Sequence, residues 1–229
     1  MLSEASLLQP PAQGFFDAAS GSASLGVGTT AGSTVLIIAY TPQEFGSVNL
    51  QPPDGFAVGF VVGLGQQELA MWHRQDVPAG ETSWLISSPS TLADLIMWFA
   101  YEVGGPDVVT PLERNFQPTG GTGVTTQSTG TTTNTNYTDL MCIAVHCCNS
   151  IKTIDQQTNG FVAMETQQQT SGAGHGAGTV AVSRLYPNAG GTFECTATYS
   201  AASNTVAGIT VYRGAAELPV SPGGIAVVV

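Results

Sequence analysis

The residues best suited to acid–base chemistry are His73 and Asp76, with Glu68 nearby. A histidine beside a carboxylate could transfer a proton if both side chains faced one cleft. In an extended strand, however, positions an odd number of residues apart point to opposite faces. The counterparts of His73 and Asp76 in an internal repeat, described below, are Ser183 and Tyr186, so the second copy lacks the pair. We therefore expect no catalytic residue here and no enzymatic activity.

A second group, Cys142, His146 and Cys148, has residue types that bind zinc. These positions share one face of a strand, but in a regular strand Cys142 and His146 lie about 13 Å apart. Zinc ligands must converge to within about 2.3 Å of one ion, which a regular strand forbids. Cys147 and Cys148 are adjacent, and adjacent cysteines rarely bridge each other. We expect no metal site and no cofactor.

The cysteines are instead predicted to be buried thiols. Cys142 and Cys195 align with Ile37 and Leu85 in the other copy of the repeat. A thiol at an apolar strand position acts as a small hydrophobic side chain. A disulfide between strands remains the alternative, although nothing in the sequence indicates an oxidising compartment.

The other motifs carry no recognisable chemistry. His175 lies in a Gly-rich loop, but no Lys-Ser/Thr follows it, so this is not a phosphate-binding loop. No Asp-rich calcium loop or nucleophile elbow is present in the sequence. Several aromatic residues could form a sugar-stacking platform, but they fall inside strand-like runs, which favours packing in a core or an interface. These aromatic residues are Trp72, Trp84, Trp98, Tyr101 and Tyr212.

The elements that position these residues form an internal repeat. Pro53-Asp54-Gly55-Phe56 returns as Thr158-Asn159-Gly160-Phe161, an offset of 105, and Ala79-Gly80-Glu81-Thr82 returns as Ala189-Gly190-Gly191-Thr192, an offset of 110. Apolar or alternating runs surround these anchors in the same order. The paired runs are 35–40 with 140–145, 69–74 with 179–184, 82–86 with 192–196, and 95–101 with 206–212.

These runs predict an all-β fold. They are about five to seven residues long and are separated by Gly, Pro, Asn and Asp. Phe193, Cys195 and Ala197 alternate with polar residues, which is typical of a strand with one wet face. Residues 35–39 are apolar throughout, which indicates a central strand or one covered on both faces. We predict an antiparallel, jelly-roll-like β-sandwich built from two pseudo-repeats of about five strands each.

The predicted organisation has three parts. An N-terminal arm covers residues 1–23, the β-sandwich covers 24–214, and a C-terminal extension covers 215–229. Within the sandwich, repeat one is 24–117, a Thr/Gly-rich connection is 118–136, and repeat two is 137–214. The arms and the connection are expected to be pinned against folded surfaces or neighbouring chains.

Composition limits the partners. The net charge is −11 with only five Lys and Arg residues, which argues against nucleic-acid binding. No apolar run approaches the roughly 20 residues that span a bilayer, and residues 1–13 do not resemble a signal peptide. Charged residues make up 9% of the chain against roughly 25% in an ordinary soluble domain. The surface is therefore either neutral and polar or largely covered in an assembly, because interface cores are poor in Lys, Glu and Asp.

The order of strand runs, the Asx-Gly-Phe turn, Leu69-Ala70-Met71-Trp72-His73-Arg74, and a closing Val211-Tyr212-Arg213-Gly214 resembles bacteriophage virion β-sandwich proteins of the minor-tail or tail-associated type found in phages of actinobacteria. Ala100-Tyr101-Glu102-Val103 keeps only the Tyr of that last element. The resemblance covers residues 24–214 and carries no functional residues.

That resemblance implies a non-enzymatic structural protein of a phage virion. It would be made in the bacterial host cytoplasm without a signal peptide and would dock on other virion proteins and on copies of itself, through its termini and sheet edges. A capsid-decorating or minor capsid protein is one alternative. A β-sandwich module that binds host-surface carbohydrate is the other.

Overall fold

The computed structural model describes residues 7–42, 49–65, 67–89, 95–104, 109–117, 123–134, 140–156, 158–172, 176–187 and 190–213. All regular secondary structure in these ranges is β-strand, and they contain no helix able to cross a membrane. The strands are β1 Ala12–Asp17, β2 Ser20–Ser24, β3 Ser33–Thr41, β4 Ala57–Leu64, β5 Gln67–Val77, β6 Ser83–Ser87, β7 Leu95–Val103, β8 Val109–Gln117, β9 Val124–Ser128, β10 Thr132–Asn134, β11 Leu140–Cys148, β12 Ile154–Asp155, β13 Val162–Thr170, β14 Ala177–Leu185, β15 Gly191–Phe193, β16 Thr196–Ser203 and β17 Thr205–Arg213.

Two antiparallel five-stranded sheets form the centre of the molecule. The first has the order β1-β7-β3-β5-β4, and the second has the order β8-β17-β11-β14-β13. These orders are identical once each strand of the first half (β1–β7) is replaced by its counterpart in the second half (β8–β17). The predicted repeat is therefore a repeat of topology, and the predicted all-β, antiparallel fold is confirmed.

The sheets stack in four layers. The two five-stranded sheets face each other across one shared apolar cluster, which we call the central core. The outer face of the first sheet is covered by the small sheet β2-β6, and that of the second by β12-β16-β9 and β10-β15. Each half is thus a sandwich with its own core, and the central core joins the two. The largest fully buried side chains of the central core include Tyr40, Phe60, Met71, Phe99 and Tyr212.

This layering explains the strands that are apolar at every position. In β3, Leu36 and Ile38 enter the central core, whereas Val35 and Ile37 pack under the outer small sheet. Strand β11 has the same arrangement, and all nine of its residues are buried. Both strands lose water from both faces, so neither has an alternating polar face.

The halves contact each other through equivalent edge strands, and the contact is more extensive on the β4 side. Edge strand β4 of the first sheet lies against β17 and β8, while edge strand β13 of the second lies against β7. At the first of these contacts the ring of Phe60 fills the space beside Gly208, where an added Cβ would lie 2.7 Å from the ring. The side chains at this contact are not repeated, because the counterparts of Phe60 and Gly208 are Glu165 and Met97.

The Asx-Gly-Phe turns occupy equivalent places in both halves. Gly55 and Gly160 have φ values of 80° and 81°, which favour glycine. The N–H of Phe56 donates to the C=O of Pro53 at 3.1 Å, and the N–H of Phe161 donates to the C=O of Thr158 at 3.0 Å. These turns fix the offset of 105 and place a buried Phe at the start of β4 and of β13.

The offset of 110 predicted for runs 69–74 and 82–86 is wrong by one residue, whereas the last pair of runs, 95–101 with 206–212, already has an offset of 111. Ala57 pairs with His73 and Val162 pairs with Arg184, so an offset of 105 for the first member of each pair requires 111 for the second. Leu85 is 60% exposed, whereas Cys195, its predicted counterpart, is fully buried. The Ala-Gly turns themselves align at an offset of 110, and a turn can differ by one residue without disturbing the strands beside it.

The regions predicted to be an arm and a connection contain strands that complete the sheets. Strands β1 and β2 pair with β7 and β6, so residues 12–24 belong to the first half. Strand β8, inside the range predicted for repeat one, pairs with β17 of the second half. Strands β9 and β10 pin much of the Thr/Gly-rich connection. The predicted C-terminal extension lies outside the described residues.

Candidate functional site

The acid–base candidates are not brought together. His73 is buried, with its ring edge-on to that of Tyr212 at a centroid distance of 6.1 Å. Asp76 is exposed and has a φ of 50°. Glu68 accepts a hydrogen bond of 2.7 Å from the N–H of Leu50, and burial raises the pKa of its carboxyl. The three side chains do not form a catalytic cluster.

The cysteine–histidine group is likewise divided. Cys142 and Cys148 belong to two separate apolar clusters beneath the small sheets, while Cys147 faces the central core. The Nε2–H of Gln156 donates to Nδ1 of His146 at 2.6 Å. Among the described residues, no group of three or more His, Cys, Asp or Glu could hold a metal ion.

All four cysteines are free and buried, as predicted for thiols that act as apolar side chains. Burial raises the pKa of the Cys142 thiol to about 12 and raises that of Cys147 well above its usual value. Burial also raises the pKa of Cys195, although hydrogen bonds from Ser183 and Thr158 partly oppose the shift. A thiol that stays protonated is a poor nucleophile and a poor metal ligand.

No tryptophan offers a ring face to a sugar. Trp72, Trp84 and Trp98 are only 0%, 6% and 8% exposed and pack in the core of the first half. Tyr101 and Tyr212 are buried in the central core. The aromatic residues therefore pack inside the fold, as their positions in strand runs indicated. His175 lies outside the described residues.

The first half carries an uncharged outer surface on its small sheet. On the small sheet β2-β6, Ala23, Trp84 and Ile86 point inward, so the alternate residues point outward. We call these outward residues the serine face. They are Ser20, Ser22, Ser24, Ser83, Leu85 and Ser87.

A cleft of about 560 Å³ borders the serine face along the edge of β6. The turn at Pro53 and Asp54 forms the opposite wall. At one end, Nη1 of Arg74 forms an ion pair of 3.0 Å with Oε2 of Glu81, and that oxygen also accepts a 3.0 Å hydrogen bond from Nε1 of Trp84. The side chains of Arg74 and Glu81 are 26% and 29% exposed, so this pair is partly open to solvent.

Sequence reasoning missed the serine face and the cleft. Ser20-Gly21-Ser22-Ala23-Ser24 alternates with period two, which is the signal of a strand, but it carries almost no apolar residue. The cleft joins segments about thirty residues apart in the chain, so no local pattern indicates it. A comparison of the chain with protein-family models, curated proteins and solved structures found no match.

Proposed function

We propose that this protein is a non-enzymatic structural component of a phage virion, of the minor-tail or tail-associated type. In this role it docks on other virion proteins and on copies of itself through its outer surfaces and sheet edges. The virion assignment comes from the sequence resemblance. The fold contributes a rigid scaffold whose reactive side chains are mostly buried.

The serine face carries the docking part of the proposal. Six outward residues lie on one two-stranded surface, and none of them is charged. The centres of protein interfaces are depleted in Lys, Glu and Asp, because burying an unpaired charge is costly. Leu85, exposed in the middle of the face, supplies apolar area at the point where a partner would exclude water.

We further propose that each half is a jelly roll. In that architecture the chain wraps so that the first strand pairs with the last and the second with the last but one. In the first half β1 pairs with β7 and β2 with β6, and in the second half β8 pairs with β17 and β9 with β16. Jelly rolls occur among viral capsid proteins, which keeps a minor capsid or capsid-decorating role as the alternative location.

Sedimentation of phage particles tests the virion role. Particles from a lysate of the host that encodes this chain are banded by density, and tryptic peptides of the chain are quantified across the gradient. We expect the peptides to peak with the particles at a fixed ratio to a major capsid protein. Peptides that stay at the top of the gradient would remove the proposal.

A charge placed on the serine face tests docking. In Ser22→Arg the new guanidinium stands on an exposed position of the face, whereas in Thr170→Arg it stands on an exposed position of the second half. We expect Ser22→Arg to lower incorporation into particles at least tenfold and Thr170→Arg to leave it unchanged. Equal incorporation of both variants would show that the serine face does not dock.

A further inference from the structure

One edge of β6 is open towards the cleft. The C=O of Thr82 accepts a hydrogen bond from the N–H of Leu25, and the N–H of Ser88 donates to the C=O of Ala19. The backbone N–H and C=O groups of the even-numbered residues in this strand therefore point to β2. The backbone groups of the odd-numbered residues point away from β2, and on that side the C=O of Ser87 accepts a 2.7 Å hydrogen bond from the N–H of Gln51. In the described part of the chain, no backbone group pairs with Ser83 or Leu85 on that side.

The second half closes the equivalent edge with its Asx-Gly turn. Thr196 donates its N–H to Oγ1 of Thr158 at 2.8 Å, and that hydroxyl donates to the C=O of Thr196 at 3.0 Å. Nδ2 of Asn159 donates to the C=O of Glu194 at 2.9 Å. The corrected offset of 111 makes Glu194 and Thr196 the counterparts of Ser83 and Leu85.

The first half lacks the side chains that do this. At the offset of 105, Thr158 and Asn159 are replaced by Pro53 and Asp54. Proline has neither a hydroxyl nor an N–H, and a carboxylate cannot donate a hydrogen bond. The C=O of Ser83 and the backbone N–H and C=O of Leu85 therefore face the cleft. An edge with unpaired backbone groups can pair with another strand.

We propose that the cleft binds residues Ile225–Val229 of the same chain as an added strand beside β6. This segment lies outside the described residues. Its sequence, Ile-Ala-Val-Val-Val, is rich in β-branched residues and carries no charged side chain. Main-chain hydrogen bonds would give the affinity, and the apolar side chains would pack on Leu85 and Pro53.

The position of β17 favours a segment of the same chain over one from a second copy. The ring of Tyr212, one residue before the end of β17, lies 6.1 Å from the ring of His73. Arg74, the next residue, points to the opposite face of the first sheet and lines the cleft, so the connecting residues would have to pass around the edge of that sheet. The connecting residues 214–224 can span up to about 36 Å when extended. Pairing of this edge does not require the virion role, because an unpaired strand edge exposes backbone donors and acceptors in any setting.

Engineered disulfides test the placement. Leu85→Cys is combined with Ala226→Cys or with Val227→Cys, since neighbouring residues of a strand face opposite sides. The control pairs are Val162→Cys with the same two partners, because Val162 and Leu85 are 59% and 60% exposed. The four native cysteines are buried and give little background.

After mild oxidation, the mass of the non-reduced monomer and peptide mapping give the yield within one chain. We expect one Leu85 pair to cross-link within the chain at least ten times more than either Val162 pair. Equal yields from the two positions would mean that only reach, and no binding, brings the cysteines together. A cross-link found only between two chains would assign the cleft to a second copy and overturn the proposal.

Amide hydrogen exchange in the full chain provides a second readout. Val227→Pro removes a ladder donor from the segment, and we expect the Leu85 amide to exchange at least tenfold faster in this variant. The Trp84 amide, which points to β2, should be unchanged and so reports that the fold is intact. An unchanged Leu85 amide alongside an unchanged Trp84 amide would refute the added strand.

Discussion

The buried imidazole of His146 should make the protein sensitive to mild acid. His146 is fully buried on β11, and Gln156 donates a hydrogen bond to Nδ1, so that nitrogen carries no proton. Burial lowers the pKa of His146 from 6.5 to about 3, and the carbonyl groups of Gln127 and Cys195 oppose only part of this shift. Protonation would place an uncompensated charge in the core and turn the Gln156 contact into a donor–donor clash.

The pH dependence of the free energy of unfolding follows from the difference between the folded and unfolded pKa of His146. The folded pKa lies below the unfolded one, so the folded state is favoured fully above pH 6.5 and loses stability as the pH falls from 6.5 towards 3. Each pH unit in that window costs about 1.4 kcal/mol once the unfolded histidine is protonated, which gives about 2 kcal/mol by pH 5.

Urea unfolding followed by far-ultraviolet circular dichroism at pH 7, 6 and 5 measures this term. His146→Gln removes the titrating group, so its free energy of unfolding should fall by about 2 kcal/mol less than that of the unchanged protein between pH 7 and pH 5. Ile154→Val, in the same apolar cluster beside Cys148, should lower stability without changing the pH slope. Parallel losses in the unchanged protein and His146→Gln would refute the reasoning.

Three further predictions concern the core and the N-terminal segment. Gly208→Ala places a Cβ 2.7 Å from the Phe60 ring and should lower the free energy of unfolding in urea by about 1–3 kcal/mol. Gly26→Ala, whose Cβ meets open space, should lower it far less, and equal effects would contradict the packing of the halves. The four thiols should resist a disulfide reagent in the native protein and all react after denaturation; rapid reaction of any native thiol would show that its site is open. Burial raises the pKa of Glu102, but hydrogen bonds from the N–H of Thr30 and from Gln9 outweigh it and lower the value below 4.5. This carboxylate stabilises the fold above pH 4.5 and loses that effect as the pH falls through its folded pKa, so Glu102→Gln should show a smaller acid-induced loss by the same assay, and an unaltered acid profile would argue against it.

The sequence predicted the strands that carry apolar side chains. Residues 35–40 and 140–145 became central strands because a continuous apolar run needs both faces covered. The burial of Cys142 was predicted from its alignment with the apolar position Ile37, and Cys195 lies on the buried side of a run that alternates with polar residues. Residues 95–101 and their counterpart 206–212 are also strands, as their runs predicted.

The small strands were missed because their composition hides their pattern. Strand β2 is Ser-Gly-Ser-Ala-Ser, and β9 is Val-Thr-Thr-Gln-Ser, so neither has the apolar side chains that mark a strand face. Their pairing with β6 and β16 is decided by tertiary contacts. The cleft could not be predicted from the sequence either, because its open edge depends on tertiary contacts. Pro53 and Asp54 occupy the positions where Thr158 and Asn159 pair with the strand in the other half.

The central claim is that two repeated sandwiches share one core and behave as one unit. The chain offers independent probes for the halves, since all three tryptophans lie in the first half and all four cysteines in the second. Tryptophan fluorescence and pulsed thiol alkylation, measured on the same urea series, report the unfolding of each half. We predict coincident midpoints and slopes, as expected for a single cooperative transition. Two separated midpoints would contradict a shared core.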